Sequence, residues 1–235
     1  MQVYRTEGGA QIEEQARIQP KPVGAGALLA GLASFSRKKP LGAAGAVVVI
    51  LIITIGVLGR WADVTPHDPK AIGLGAKFMG PGGDLFLGTD QLGRDTVSRL
   101  MFGAWISMKV AVVSVLVGIT SGTLIGVFSA YSGGKADLII QRVVDALMGF
   151  PPIILALGLM AALGASDRNV IIALTAIFIP GATRVIRSQA LSIKELDYML
   201  AARAIGATSG RIVLRHMLPN VAATYIVLVT VSVGF

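Results

Sequence analysis

Cysteine is absent from the 235 residues, which excludes disulfide staples and thiolate metal sites. Histidine occurs twice, as His67 and His216, too far apart in sequence to suggest a shared metal. Charged residues make up 14% of the chain. A soluble domain carries about 25%, so this chain has too little charge to clothe a water-facing surface. No GxxxxGK[ST] phosphate loop occurs; Gly133-Gly134-Lys135 lacks both the spacing and the hydroxyl. The middles of the long apolar runs hold no Asp, Glu, Lys, Arg or His, the groups that ion-coupled carriers commonly place there, although backbone carbonyls can also bind sodium. There is no HExxH, no pair of intramembrane acids and no nucleophile beside a plausible base. An enzyme, a cofactor site and a metal site are therefore not expected.

What is present is apolar surface: 54% of the residues, with a mean hydropathy of +0.72. The expected fold class is all-α, a polytopic transmembrane helical bundle. The formal net charge of +8 could suggest nucleic acid, but the basic residues flank apolar runs rather than forming one face. That placement orients a protein in a membrane, so lipid and not nucleic acid is the expected neighbour.

Residues 1–40 read as a cytoplasmic tail. Its first twenty residues are polar and expected to be poorly ordered, and Ala27 to Phe35 forms either an interfacial elbow or a solvated segment. Leu41 to Gly59 is uncharged over 19 residues, enough at ~1.5 Å each to cross a core of roughly 30 Å. Arg37, Lys38 and Lys39 precede it and place the N-terminus in the cytoplasm. Residues 60–105 follow as an external segment, in which positions 61–105 hold four Lys/Arg (Lys70, Lys77, Arg94, Arg99) against five Asp. Residues 106–235 form the remaining transmembrane domain.

Val110 to Gly134 contains the second span. Its Gly118, Gly122 and Gly126 make a small-xxx-small ridge for close helix packing. Lys135 and Arg142 mark the cytoplasmic side. Ala146 to Ser166 is the third span, with Pro151 and Pro152 in its first part as a kink that lines a pathway or as a plain helix start. Asn169 to Thr183 is the fourth. It must extend toward Ile186, with Arg184 and Arg187 snorkelling to the cytoplasmic interface. Val221 opens a fifth span that, at Phe235, reads as incomplete.

The stretch between the fourth and fifth spans, 188–219, stands apart. From 184 to 216 it holds six Lys/Arg and two acids. Leu196, Met199, Leu200 and Ala204 recur at helical spacing as one apolar stripe. Gly206 suits a left-handed helix end, Thr208 or Ser209 suits the next cap, and Leu218-Pro219 suits the start of a further helix. The prediction is a knob of two short helices. The external segment carries a second compact signal, LGTDQLGRD, in which two glycine turns each end in an aspartate. There Asp90 and Asp95 are suited to capping turns or a helix start and Arg94 to pairing with a carboxylate, or the group contacts a partner or substrate.

In these two places the chain resembles a known family. Ala201-Ala202, Gly206 and Leu218-Pro219 resemble the EAA loop of permease subunits of bacterial ABC importers, with Leu200 where the name-giving Glu would stand and Glu195 or Asp197 as nearby acids. Gly88-Thr89-Asp90 and Gly93-Arg94-Asp95 resemble the LGTD-x-LGRD hallmark of the dipeptide, oligopeptide and nickel branch. Thr65-Pro66-His67-Asp68-Pro69 and Phe150-Pro151 resemble further elements of that branch.

The resemblance implies the ABC importer permease fold in the bacterial inner membrane, with about five spans present and the last incomplete. It implies an ATPase-coupling loop built on Leu200, Ala201, Ala202, Gly206, Leu218 and Pro219. It implies four kinds of neighbour: a second permease subunit, two cytoplasmic ATP-binding subunits, an extracytoplasmic substrate-binding protein and membrane lipid. The cargo would be di- or oligopeptides, or in alternative readings nickel or glutathione. Two other classes stay open at this point: a truncated non-transporting fragment or assembly factor, and a secondary transporter.

Overall fold

A computed structural model describes Ser34, residues 36–61 and residues 65–234. The expected tail at 1–20 and all of the elbow at 27–35 except Ser34 lie outside the described residues. Among the described residues there is no β-strand, only isolated bridges at Gly82–Leu85 and Thr89–Asp95.

The chain divides into two compact units, Met1–Thr54 and Ile55–Phe235. Helix α1, Pro40–Trp61, begins in the first. There Val47, Val48, Val49, Ile50 and Leu51 are all exposed, and the Thr54 hydroxyl donates to the Ile50 carbonyl at 2.7 Å. An apolar, self-satisfied helix of this kind is suited to hydrocarbon, where every polar group needs an internal partner.

The second unit is built on α2, Thr96–Ser132, and α5, Asp167–Lys194. They pack along the glycine ridge. A Cβ on Gly118 would lie 2.8 Å from Phe178 Cβ, one on Gly122 2.7 Å from the Ile179 carbonyl, and one on Gly126 2.7 Å from the Thr183 carbonyl. These contacts leave no room for a side chain, so glycine sets the interhelical distance. At 37 residues, α2 is about 55 Å long and starts well before the expected second span.

Gly133 and Gly134, with φ of 63° and 54°, turn the chain sharply into α3, Gly134–Met148. In the expected third span, Ala146 to Ser166, the Pro151-Pro152 pair breaks the chain and starts a fresh helix. The segment is not one helix: α3 ends at Met148, and α4, Pro152–Leu163, leaves at 90° to it. Pro152 forces extended backbone on Pro151, whose ψ is 133°, and then fits the first turn of the new helix. With 12 residues, or about 18 Å, α4 is too short to cross a bilayer alone. Among the described residues, four helices are long and apolar enough to span, or five if the bent α3–α4 pair counts as one.

Helix α5 runs 11 residues beyond Thr183 and carries the two arginines expected to snorkel. Arg184 pairs with Asp145 at 2.5 Å and Arg187 with Asp137 at 2.5 Å, both on α3. After α6, Asp197–Ala204, the chain enters α7, Ser209–Val233. The helix start expected at Leu218-Pro219 is present as an α-helical stretch, Leu218–Val233, with Pro219 in its first turn, but it follows the preceding turn without a break. Val213–Met217 forms a π turn, in which the Leu218 amide donates to the Val213 carbonyl. The wider turn makes room where Pro219 lacks an N–H and would crowd the carbonyl four residues back, so the helix continues through the proline.

Candidate functional site: the knob and the external loop

The two sequence signals sit at opposite ends of α2. Asp95 caps its start, and its last carbonyls, those of Ala130 and Tyr131, accept hydrogen bonds from Lys194 Nζ at 2.9 and 3.0 Å. Lys194 ends α5, just before the knob, and so ties the knob's root to the end of α2.

In the knob, Gly206 has φ 78° and closes α6 with a Schellman motif: the Ala207 amide donates to Ala202 at 3.0 Å and the Gly206 amide to Arg203 at 2.9 Å. Thr208 stands at the next N-cap position in extended backbone, but its side chain makes no capping bond. The predicted apolar stripe is split. Met199 and Ala202 are buried with Ile193, Ile212 and Met217, whereas Leu196, Leu200 and Ala204 face outward. The buried face is set one position away from the stripe because α6 packs on α7 as well as on α5. Leu200 is 54% exposed and Ile205 86% exposed; with Leu196 and Tyr198 they form an apolar rim. Ala201, Gly206 and Pro219 are exposed, and Leu218 is half-buried against the core below. The Tyr198 and His216 rings lie 6.2 Å apart, joining α6 to α7.

The mount beneath the knob is polar and closed. Arg187 Nε and Nη2 donate to the two Asp137 oxygens at 2.6 and 2.5 Å. Ser129 Oγ donates to Asp137 Oδ1 at 2.5 Å and accepts from Gln141 at 3.0 Å, tying in α2. Nothing in the local sequence pairs Asp137 with Arg187, because they are fifty positions apart on different helices.

In the external loop, all six motif residues, Gly88, Thr89, Asp90, Gly93, Arg94 and Asp95, come together. Gly88 has φ 71°, and a Cβ there would lie 2.0 Å from the Met79 carbonyl; Gly93 has φ 70°, and a Cβ would lie 2.5 Å from the Gly75 carbonyl. The loop therefore lies directly on segment 73–79. The Leu74 amide donates to Gly93, the Phe78 amide to Asp90 and the Thr89 amide to Met79, at 2.9 to 3.1 Å. Buried Thr89 Oγ1 accepts from the Met79 amide and donates to the Ala76 carbonyl.

Asp90 Oδ1 accepts from the Leu92 and Arg94 amides at 2.7 and 3.1 Å, and Oδ2 accepts from Arg94 Nε at 2.8 Å and from Arg99. Desolvation pushes the Asp90 carboxyl up, but these amides and guanidiniums outweigh it and hold the group well below the usual carboxylate range. Asp95 is fully buried and accepts from the Val97 amide, the Ser98 amide and the Ser98 hydroxyl at 3.3, 3.1 and 2.5 Å. Burial raises its pKa, but the Ser98 and Val97 bonds and nearby His67 lower it by more, so it too lies below the usual range. His67 Nδ1 lies 3.7 Å from Asp95, and the His67 amide donates to Ser98 Oγ at 3.1 Å. His67, Ser98 and Arg99 are members of this site that lie outside the motif.

Pro151 and Pro152 flank the α3–α4 break. Pro152 lines a small cavity of about 150 Å³ whose far wall is Ile177, Pro180 and Gly181 of α5. No cluster of three or more metal-ligating side chains occurs among the described residues.

Comparison with known proteins adds to this geometry. The family described as binding-protein-dependent transport system inner membrane component matches residues 122–235, which include Gly122 and Gly126 of the glycine ridge, the mount and the knob. The chain is 40% identical over 190 residues to a putative peptide transport system permease protein of Brucella suis, covering 79% of this chain and 62% of that protein. It is 34% identical over 195 residues to a probable D,D-dipeptide transport system permease protein of Escherichia coli, covering 83% and 65%. It is 36% identical over 202 residues to a glutathione transport system permease protein of Pectobacterium atrosepticum, covering 85% and 66%. The chain thus spans a little under two thirds of the length of the relatives it matches.

Proposed function

The chain belongs to the family of binding-protein-dependent transport system inner membrane components, the permeases of ABC importers, in its dipeptide and oligopeptide branch; from that premise we propose that it is the permease subunit of an ATP-driven peptide importer. The observation that carries this reading is the knob. Leu196, Leu200 and Ile205 expose apolar surface that costs free energy in water, on a base locked to α2 by Lys194. Such a surface fits a cleft on a cytoplasmic ATP-binding subunit. Two such subunits, a sister permease and an external binding protein would complete the assembly, with the N-terminus on the cytoplasmic side. The cargo is assigned to peptides because the relatives' names specify peptide, dipeptide or glutathione transport.

In this mechanism, closure of the ATPases displaces the knob. The displacement passes through Lys194 to the end of α2 and through Arg187 to α3, so that helices already tied together tilt as a group. The 90° break at Pro151-Pro152 leaves α4 free to follow a different path from α3. The external loop, stitched to segment 73–79, presents a preformed surface for a binding protein.

The test is reconstitution with companion subunits in vesicles, measuring peptide uptake and ATP hydrolysis together. Gly206→Val meets open space but must hold φ 78°, so it distorts the knob without disturbing the core. Uptake per ATP should fall at least several-fold while membrane insertion is retained. Unchanged coupling in that variant would remove the knob from the mechanism.

A further inference from the structure

A second site lies at the other end of the molecule from the knob, where α1 ends beside the first turns of α2. Gly56 and Gly59 bring the two helices together there: a Cβ on Gly56 would lie 3.0 Å from the Trp105 amide nitrogen, and one on Gly59 2.7 Å from Met101 Cβ. Beside this contact opens a cavity of about 520 Å³. Phe102, Trp105 and Ile106 give it an apolar wall, while Arg60, Lys70 and Asp68 stand among its charged groups. Lys109 and Asp167, also lining it, neutralise each other at 3.2 Å. Asp68 Oδ1 accepts the Lys70 amide at 2.9 Å. The Arg60 guanidinium and the Lys70 ammonium have no carboxylate partner among the described residues, and Lys70 Nζ lies 5.8 Å from the centre of the Phe102 ring. Two cations without a carboxylate partner among the described residues, beside an aromatic wall, are suited to an anion.

The depth of the cavity says which anion. Arg60 follows the uncharged run of α1, and Lys109 precedes the uncharged run 110–132 of α2. Asp167 begins α5, ahead of the uncharged run 169–183. Three helices thus change from charged to apolar at one level, where phosphate headgroups meet hydrocarbon and where Trp105 also belongs.

We infer that this cavity is a phospholipid headgroup site: Arg60 and Lys70 hold the phosphodiester, Asp68 faces the ammonium of an ethanolamine headgroup, and the lipid's first methylenes lie on Phe102, Trp105 and Ile106. Arginine and lysine are the usual phosphate partners, the former in a bidentate fork. A free phosphate would satisfy the same cations but would leave the apolar wall and Asp68 unused.

The test is native mass spectrometry of the full chain, delipidated in mild detergent and titrated with phosphatidylethanolamine, phosphatidylglycerol or inorganic phosphate. Wild type should bind one phosphatidylethanolamine in preference to phosphatidylglycerol. Arg60→Gln with Lys70→Gln should weaken it about tenfold or more, the loss expected for removing charge-assisted bonds. Asp68→Asn keeps the turn's acceptor and should abolish the preference between the two lipids. Lys77→Gln lies outside the cavity and should change nothing, separating a site from a general loss of positive charge. Equal lipid retention by wild type and the double variant, an equal loss in Lys77→Gln, or displacement of the lipid by millimolar phosphate would each overturn the assignment.

Discussion

Arg187 on α5 and Asp137 on α3 form a two-pronged ion pair, at 2.6 and 2.5 Å, beneath the knob. Both partners are largely screened from solvent, with side chains 27% and 17% exposed. Removing one charge strands the other in a poorly hydrated place. Asp137→Asn or Arg187→Leu should each destabilise by about 2–4 kcal/mol, whereas the double change to leucines should recover most of that loss. Thermal unfolding in detergent, followed by circular dichroism, checks this. Additive single and double effects would mean that the two residues do not act as a pair.

The glycine ridge predicts a graded response. At Gly122 an alanine methyl would meet the Ile179 carbonyl and Ala182 Cβ, both at 2.7 Å, and neither backbone can move without parting the helices. Gly122→Ala should cost about 1–3 kcal/mol by overpacking, and Gly122→Leu should prevent recovery of folded protein. Gly158, with open space around it, is the control, and Gly158→Ala should be neutral or slightly stabilising. Yield and melting temperature of the three variants provide the comparison.

Two positive-φ glycines of the external segment separate strain from collision. At Gly73, φ is 77° but nothing lies within 4 Å of a Cβ; at Gly88, φ is 71° and the Met79 carbonyl would be 2.0 Å away. Gly73→Ala should cost about 1–2 kcal/mol through backbone strain alone. Gly88→Ala must also lift the loop off segment 73–79. Limited proteolysis of intact protein should cut near Met79 in Gly88→Ala and leave Gly73→Ala largely resistant.

The Asp90 carboxyl gives the loop a pH dependence of known sign. Its folded pKa lies below the value of about 3.9 expected when unfolded, so the folded state binds fewer protons. The contribution is present above pH ~4 and is lost as pH falls through the depressed folded value. Amide exchange across 73–95 should therefore accelerate as pH drops below ~4, after correction for intrinsic rates, and Asp90→Asn should flatten that dependence. A variant with the wild-type slope would assign the effect to another group, with Asp95 the next candidate.

Much of this protein was legible in one dimension because its determinants are local. An uncharged run long enough to cross hydrocarbon declares a span, as at Leu41–Gly59, whatever surrounds it. Gly206 declares a left-handed helix end, and Asp95 before Thr96 declares a cap, because each rests on backbone chemistry within a few residues. The small-residue period at Gly118, Gly122 and Gly126 declared a close helix contact but not its partner.

Tertiary structure decided what depends on two distant segments meeting. It turned Ala146–Ser166 from one span into two helices at 90°, since a Pro-Pro pair allows either a kink or a fresh start and packing chooses. It carried α7 through Pro219 by a π turn, which sequence periodicity at 3.6 residues cannot signal. It selected the buried face of α6, because α5 and α7 together, and not the stripe of α6 alone, determine which side is covered. It also joined Arg187 to Asp137 and Lys194 to the end of α2, because a charge finds its partner in space rather than along the chain.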